Sequence, residues 1–273
     1  MKLAAGEWTA LKGRRAGLER RWQKYAAFTL PRLYTEEHWN EDSDELTLDW
    51  QSVGAQAVNH VVNKLMLALY APSRPFMRLE LDPKWLQDLP PEVPQAEIDS
   101  ALSAAETAAA KALDSIPGTR AKLYLTLAYL VVLGNACIYL PQETGAPPLI
   151  YGPGQFVIRR TGNGALKQAI IRETLQFDEL DPKVQDAVRN SPTGQRYRPD
   201  TQVSHYRQIT RNNKGGYEMR QYVESTNLGP DFDGAWNKED DLPYRFLTWN
   251  LKDGNHYGTG LVEDYAADFG ALS

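Results

Sequence analysis

The apolar stripe of one long predicted helix constrains the fold of this chain more than any other sequence feature. Six residues recur at the three- and four-residue spacing of one helix face: Val58, Val61, Val62, Leu65, Met66 and Leu69. Asp49 can cap the start, and Pro72 and Pro75 end the helix by Tyr70, because proline has no amide proton to donate. Alternating residues over 76–81 then predict a strand. The block indicates a scaffold element rather than a reactive site.

Length and composition are those of a folded globular protein. The chain has 273 residues, of which 42% are hydrophobic and 24% charged, enough for one large domain or two small ones. A net charge of −5 argues against a surface that wraps nucleic acid, because counterion release needs an excess of Lys and Arg. Cys137 is the only cysteine, so no internal disulfide can form, and we expect a packed thiol in a reducing compartment.

The sequence predicts neither membrane insertion nor secretion. The longest apolar stretches, 61–71 and 123–133, are shorter than the roughly 20 residues of a membrane-spanning helix. The N-terminal residues lack the apolar core of a signal peptide. We therefore expect a soluble protein, or part of a soluble assembly, with no membrane partner.

A second amphipathic helix is predicted at the start of the chain, ending before Pro31. Its apolar face carries Trp8, Leu11, Leu18, Trp22 and Tyr25. Its opposite face carries Arg14, Arg15, Arg20, Arg21 and Lys24. Charge opposite an apolar stripe favours a solvated or subunit-facing surface, although a nucleic-acid or partner-binding role stays open.

Two further helices and a strand complete the first half of the chain. A proline-rich break over 89–94 precedes an alanine-rich helix over 95–115. A helix over 119–133 ends at Gly134-Asn135, because glycine readily adopts the left-handed conformation that closes a helix. A strand over 136–140 follows.

The second half of the chain has the period of strands. Gly162-Asn163-Gly164 joins strands over 156–160 and 166–174, and its Asn-Gly pair is predicted to supply the positive backbone dihedrals of a hairpin turn. The other predicted elements are a helix from Asp181-Pro182 to about Asn190, a second hairpin of 203–210 and 217–224 joined by 212–216, a strand over 244–250, and a helix from Thr259 toward Ser273. Helices first and antiparallel hairpins later predict an α+β fold.

The motifs of common catalytic sites are absent from the sequence. There is no Gly-Lys dipeptide for a phosphate-binding Walker loop, and no serine lies between two glycines as in a nucleophile elbow. A Ser-His-Asp triad built in another way stays open. We therefore predict no catalytic residue.

Metal and cofactor sites are not predicted either. The four histidines, His38, His60, His205 and His256, lie far apart in sequence, and His60 borders the apolar stripe as a packed histidine would. The run 231–234 resembles the start of a calcium loop, but Trp236 stands where the loop needs a glycine and Leu242 stands where it needs the closing glutamate, so a turn is favoured. We read 152–154 (Gly-Pro-Gly) as another turn, and we predict no cofactor.

Five motifs, in one order along the chain, carry a family resemblance: 25–34 (YAAFTLPRLY), 51–55 with 63–69, 76–79 (FMRL), 130–141 (LVVLGNACIYLP), and 257–260 with 262–265. With them, nearly the whole chain resembles the head-to-tail connector, or portal, proteins of short-tailed podovirus phages. The resemblance implies a structural virion protein rather than an enzyme.

The resemblance also implies a set of partners. Such proteins form a ring of about twelve subunits at one capsid vertex, in keeping with cyclic symmetry, and double-stranded DNA is packaged and ejected through it. A separate terminase supplies the ATPase, which agrees with the missing Walker loop. A tail adaptor and the major capsid, scaffold and internal core proteins are further partners. The implied location is the portal vertex of the virion, with assembly in the host cytoplasm.

The chain corresponds to the N-terminal, or wing, half of this family. Family members are much longer, and their stem, clip and crown have no counterpart before Ser273. We expect a wing-like α+β domain over 1–256 and a turn with the start of a stem helix over 257–273. The alternatives are a soluble hydrolase or transferase with an unrecognised site, and a virion adaptor that forms no ring.

Overall fold

The computed structural model describes residues 3–35, 39, 43–46, 51–72, 74–82, 84, 94–143, 145–191 and 197–272. In these residues the helices are α1 (Ala4–Arg14), α2 (Ala16–Phe28), α3 (Val53–Leu69), α4 (Gln95–Ser115), α5 (Thr119–Leu133), α6 (Pro182–Arg189), α7 (Leu261–Asp264) and α8 (Ala266–Leu272). The strands are β1 (Asn135–Tyr139), β2 (Leu149–Tyr151), β3 (Phe156–Arg160), β4 (Leu166–Gln176), β5 (Gln202–Arg211), β6 (Tyr217–Val223), β7 (Thr226–Asn227), β8 (Gly234–Trp236) and β9 (Tyr244–Thr248).

The strands form two antiparallel sheets. A small sheet has the order β2-β1-β9, and a larger sheet has the order β3-β4-β5-β6-β7, with β8 paired to β6. Neighbours in the larger sheet follow one another along the chain, as hairpins require. Helices come first and antiparallel strands later, so the predicted α+β class is confirmed.

The two sheets share one apolar core. The small sheet contributes Cys137, Tyr151 and Tyr244, and the larger sheet contributes Phe156, Ile158, Ala169, Ile171, Ile209 and Met219. Alternate residues of a strand point to opposite faces, so Ile170, between Ala169 and Ile171, faces the other side. There it packs with Trp8 of α1.

The helical part of the molecule packs around α5, which is almost entirely apolar after Arg120 and Lys122 in its first turn. Its buried residues include Ala128, Leu130, Val131, Val132 and Leu133. A helix that is apolar all round needs neighbours on all sides. Trp22, Val58, Val62 and Val262 supply them from α2, α3 and α7. The burial of this helix explains why its sequence shows no polar face.

The prediction of one N-terminal helix is wrong, because the chain forms two helices with a break at Arg15. The first helix places Trp8 on the outer face of the larger sheet. The second places Trp22 in the helical core. One straight helix could not reach both layers. Arg15, predicted on the solvent-facing side, is only 5% exposed.

The long helix that the apolar stripe predicts is confirmed as α3, which ends at Leu69 before the prolines. Val58 and Val62 are buried, whereas Leu69 is 59% exposed. The apolar stripe thus extends beyond the part of α3 that is buried. The predicted cap, Asp49, lies outside the described residues, as do His38 and most of the break over 89–94.

The predicted strand over 76–81 is wrong. These residues form no strand in the described part of the chain. Instead, the backbone amide of Leu79 donates to the carboxylate of Glu106 on α4, at 2.7 Å. An alternating pattern forms a strand only where another strand can pair with it through a ladder of hydrogen bonds. Here the backbone amide of Leu79 bonds to a side chain of α4 instead.

Both predicted hairpins are confirmed, but one turn differs from its prediction. Gly164 has a positive φ of 84°, while Asn163 does not. The amide of Gly164 donates to the carbonyl of Thr161 at 3.0 Å. The turn therefore needs one left-handed residue rather than two, as in three-residue hairpin loops.

The remaining elements follow their predictions with small shifts. The Asp181 side chain caps α6 by accepting from the amide of Lys183. Strand β1 begins one residue earlier than predicted, and β9 ends two residues earlier. The C-terminal helix starts at Leu261 rather than Thr259, and a break at Tyr265 divides it into α7 and α8. His60 is exposed rather than packed.

Candidate functional site

The structure joins two of the family motifs where the helical part meets the small sheet. Asn135, at the start of β1, donates its side-chain amide to the carbonyl of Gly258 and accepts from the amide of Gly258, each at 2.8 Å. Gly134 has a φ of 73°, and a Cβ there would lie 2.4 Å from the backbone nitrogen of Gly260. The backbone around Gly134 can therefore approach Gly260 this closely only because Gly134 has no Cβ.

A second pair of motifs meets between α2 and α3. Gln51 donates its side-chain amide to the carbonyl of Phe28 and accepts from the amide of Gly54, each at 2.9 Å. A Cβ on Gly54 would lie 2.1 Å from the Phe28 oxygen, well inside van der Waals contact. The glycine thus lets α3 start directly against the end of α2.

Arg15 connects the helical part with the larger sheet. Its Nη1 donates to the carbonyl of Phe156 at 2.6 Å and to the hydroxyl of Tyr257 at 3.2 Å, and its Nε pairs with Glu19 at 2.8 Å. The guanidinium also lies over the Trp22 ring, 5.2 Å from its centroid, a cation–π geometry. A buried arginine needs several such partners to replace its hydration. The one sequence feature that could have indicated a paired Arg15 is Glu19, an acidic residue four positions later on the helix.

Several residues with shifted pKa values form a cluster on β2, β4 and β5. Arg207 donates to Glu173 at 2.8 Å, and Glu173 also accepts from the hydroxyl of Tyr151. Burial opposes the charge of Glu173, but Arg207 and these hydrogen bonds outweigh it and lower the pKa of the carboxyl group. Burial raises the pKa of Tyr151 and keeps it neutral. No sequence motif marks this cluster, because strand register assembles it.

His205 belongs to the same cluster and is neutral at ordinary pH. Burial first, and then the positive charge of Arg207, lower its pKa to about 4. Its Nε2 is 2.9 Å from the side-chain oxygen of Gln221, and its Nδ1 is 3.8 Å from Glu173. A general base works best with a pKa near the working pH. The arrangement is that of a paired structural cluster beside an open cleft of about 850 Å³.

The described residues contain neither a cluster of metal ligands nor a membrane-spanning helix. In the described residues, no three side chains of His, Cys, Asp or Glu lie together as a metal site would require. Burial raises the pKa of the Cys137 thiol well above its usual value, and the side chain is fully covered, which confirms the packed thiol. In the same part of the chain, no helix has both the length and the apolar character needed to cross a bilayer.

These contacts define a class of protein. It is an α+β scaffold in which side-chain amides join distant backbone segments and the charges of Arg207 and Glu173 are paired with each other. A family-level comparison agrees: the family described as bacteriophage head to tail connecting protein matches residues 1–273. The chain belongs to this family, which confirms the resemblance seen in the sequence.

Individual relatives give the same result. The chain is 31% identical to the portal protein of Enterobacteria phage T3, over 98% of this chain and 50% of that protein. It is also 31% identical to the portal protein of Escherichia phage T7, with the same coverage. The portal protein of Pseudomonas phage phiKMV is 28% identical over 99% of this chain and 52% of its own length. The chain therefore spans about half the length of these relatives.

Proposed function

We propose that this chain is a portal subunit, a structural part of the phage virion. In this proposal, copies of the chain form a ring at one capsid vertex, double-stranded DNA is packaged and ejected through the ring, and the tail attaches to it. The match of residues 1–273 to the head-to-tail connecting family carries the proposal. Relatives that are named portal proteins and are similar over almost the whole chain support it.

The contacts of the shared motifs fit a structural role. Four of the five motifs meet in two junctions, one around Asn135 and Gly258 and one around Phe28 and Gly54. The segments that carry the family resemblance thus meet one another at backbone groups in this chain. We propose a non-enzymatic role for this reason, with the ATPase of packaging supplied by a separate terminase.

The remaining partners are also proposals. We infer that the ring meets a tail adaptor, the major capsid protein, a scaffold protein and internal core proteins. We propose that the chain divides into a wing-like domain over 1–256 and a turn with the start of a stem helix over 257–273. Tyr257 and Val262 pack against the helical core beside Trp22, so this first part of the stem would be seated on the wing.

The experiment is interruption of the gene in the phage that encodes the chain. A stop codon early in the gene should give capsids without DNA in a host that does not suppress it, since no DNA enters without the portal. A plasmid copy of the gene restores DNA-filled heads. Electron microscopy and packaged-DNA yield provide the readout. DNA-filled, infectious particles without the protein would contradict the proposal.

A further inference from the structure

Strand β3, at one edge of the larger sheet, is closed by side chains rather than by another strand. The carbonyl of Phe156 accepts from Arg15 at 2.6 Å, and the amide of Ile158 donates to the hydroxyl of Tyr257 at 2.9 Å. Proteins block exposed strand edges in such ways, because unpaired amides and carbonyls can bind strands of other chains. An edge that is left open is therefore a place where another strand can bind.

The last part of β4 has such an open edge. Strand β3 pairs with β4 only as far as Ile171, whereas β5 continues along β4 to Gln176. The amide of Phe177 donates to the carbonyl of Thr201 on the β5 side, so the alternation of the ladder directs the backbone groups of Thr174 to the opposite side. Within the part of the chain that the structure describes, the N–H and C=O of Thr174 have no partner.

A mostly apolar groove of about 340 Å³ lies beside this edge. One of its walls is β2, the edge strand of the small sheet, where Leu149 is 39% exposed and Ile150 is half-buried. Leu125 of α5 and Leu175 of β4 contribute further walls. Open backbone groups beside apolar walls suit an extended peptide with apolar side chains at alternate positions, because its backbone completes the ladder and its side chains fill the groove.

The chain also has a strand-like segment that lacks a strand to pair with. Residues 76–81 have the alternating pattern of a strand but form none in the described part of the chain. The amide of Leu79 donates to Glu106 of α4, so in an extended segment the backbone groups of Arg78 and Glu80 point the other way. The side chains of Arg78 and Glu80 are 84% and 79% exposed. This edge of the segment is therefore accessible to another chain.

We propose that residues 76–81 of one copy bind as an added strand along Thr174 of β4 in the next copy. No residue of this segment lines the groove of its own chain, so the binding is between copies. The lengths agree, since the segment and the open edge over 172–176 each span about 16–20 Å when extended. Charge neither favours nor opposes the contact, because Arg78 and Glu80 offset each other.

A segment that binds a groove elsewhere on the same chain makes a head-to-tail contact. Such contacts close into a ring when the rotation fits. The inference rests on the proposed function, since it names a contact by which portal subunits would join.

Proline at position 174 tests the groove. Thr174→Pro removes the outward N–H, and a sheet tolerates proline where the N–H faces away from the ladder. Thr174→Ala is the matched control, because it keeps the N–H. By sedimentation velocity, the proline variant should self-associate at least roughly tenfold more weakly than the alanine variant, because a ladder hydrogen bond and the close approach of the added strand are lost. Circular dichroism and thermal melting check that both variants fold.

Proline at position 80 tests the segment independently. Glu80→Pro removes an N–H that faces away from α4, and the residue is exposed, so this variant should fold even where Thr174→Pro does not. Proline also restricts the residue before it to extended conformations, which leaves the contact of Leu79 with Glu106 in place. Glu80→Ala is the control, and the proline variant should again associate at least roughly tenfold more weakly.

A peptide provides the decisive arm. A fluorescent peptide of residues 74–82 should bind the wild-type chain saturably, as measured by fluorescence anisotropy. It should bind the Thr174→Pro chain at least roughly tenfold more weakly than the Thr174→Ala chain. The same peptide carrying Glu80→Pro should lose binding to the wild-type chain.

The contact is overturned if the proline variants associate like their alanine controls, or if the wild-type chain stays monomeric at every concentration. A peptide that does not bind the wild-type chain, or that binds the Thr174→Pro and Thr174→Ala chains equally, has the same meaning. None of these measurements concerns the DNA content of phage heads, which is the readout for the portal role. Failure of the contact and failure of the proposed function are therefore distinguishable.

Discussion

The side chain of Asn135 makes both hydrogen bonds that the backbone of Gly258 can offer, although 123 residues separate the two. The pair imitates one rung of an antiparallel ladder with a side-chain amide in place of a strand. Neither partner reaches solvent to any extent, since Asn135 is 2% exposed. This single amide therefore fixes the residues before α7 to the start of the small sheet.

Asn135→Asp should destabilise the fold although the two side chains have the same shape. The carboxylate can still accept from the Gly258 amide, but it has no proton for the Gly258 carbonyl and places a charge beside it. We expect a loss of about 2–3 kcal/mol in the free energy of unfolding, measured by urea titration. Asn163→Asp is the control, because Asn163 is exposed and its side-chain oxygen only accepts from Thr161. Equal losses at both positions would contradict the assignment.

Gly54→Ala should also destabilise the protein, because the new Cβ would lie 2.1 Å from the carbonyl oxygen of Phe28. Shifting a backbone to make room costs about 1–3 kcal/mol. Gly6→Ala, inside α1 and with nothing within 4 Å of the new atom, should instead stabilise by about 0.5–1 kcal/mol. Thermal melting of the two variants should shift in opposite directions. A shift in the same direction would refute the close approach of α2 and α3.

Arg15→Met keeps most of the apolar stem of the arginine but removes the groups that donate to Phe156 and Tyr257. Loss of one member of a buried charged network costs about 3 kcal/mol. Arg14→Met, one residue earlier on the exposed surface, should change stability by less than about 0.5 kcal/mol. Chemical unfolding followed by tryptophan fluorescence compares the two. Similar small effects would mean that Arg15 does not connect helix and sheet.

The neutral state of His205 makes stability depend on pH. Its pKa falls from 6.5 to about 4 on folding, so between these values the unfolded chain binds more protons than the folded one. Stability is then full above pH 6.5 and is lost as the pH falls toward 4. From this group alone we expect about 2 kcal/mol less stability at pH 5 than at pH 7.

His205→Gln should remove most of this pH dependence, because glutamine does not titrate. His60→Gln, at an exposed position of α3, should leave the dependence intact. A smaller pH dependence that comes from His256 is present in both variants. Burial, followed by the positive charges around it, also lowers the pKa of His256. Urea midpoints at pH 5 and pH 7 measure the difference. A full pH dependence in His205→Gln would place its origin elsewhere.

Elements that depend on local chemistry could be predicted from the sequence. The helix over 95–115 has the predicted bounds. Its start and stop signals, Pro94 before it and Pro117-Gly118 after it, lie next to its ends in the sequence. The hairpin at 162–164 was predictable for the same reason. In each case the decisive residues are neighbours along the chain.

Features that depend on distant residues could not be predicted. Arg15 is buried because of partners 141 and 242 residues away, so its place on the helical wheel predicted solvent. The alternating segment at 76–81 lacks a strand to pair with and leaves Phe76 43% exposed. The Glu173–Arg207 pair depends on the register of β4 and β5, which no local pattern fixes.

The position of Arg15 has a consequence for the synthesis of the protein. Arg15 leaves the ribosome 141 residues before Phe156 and 242 residues before Tyr257. Until then the bend between α1 and α2 has only local contacts, such as those of Arg15 with Glu19 and Trp22. Early segments of a growing chain generally fold first. Here, the contacts of Arg15 between α1 and α2 are complete only after Tyr257 has been synthesised.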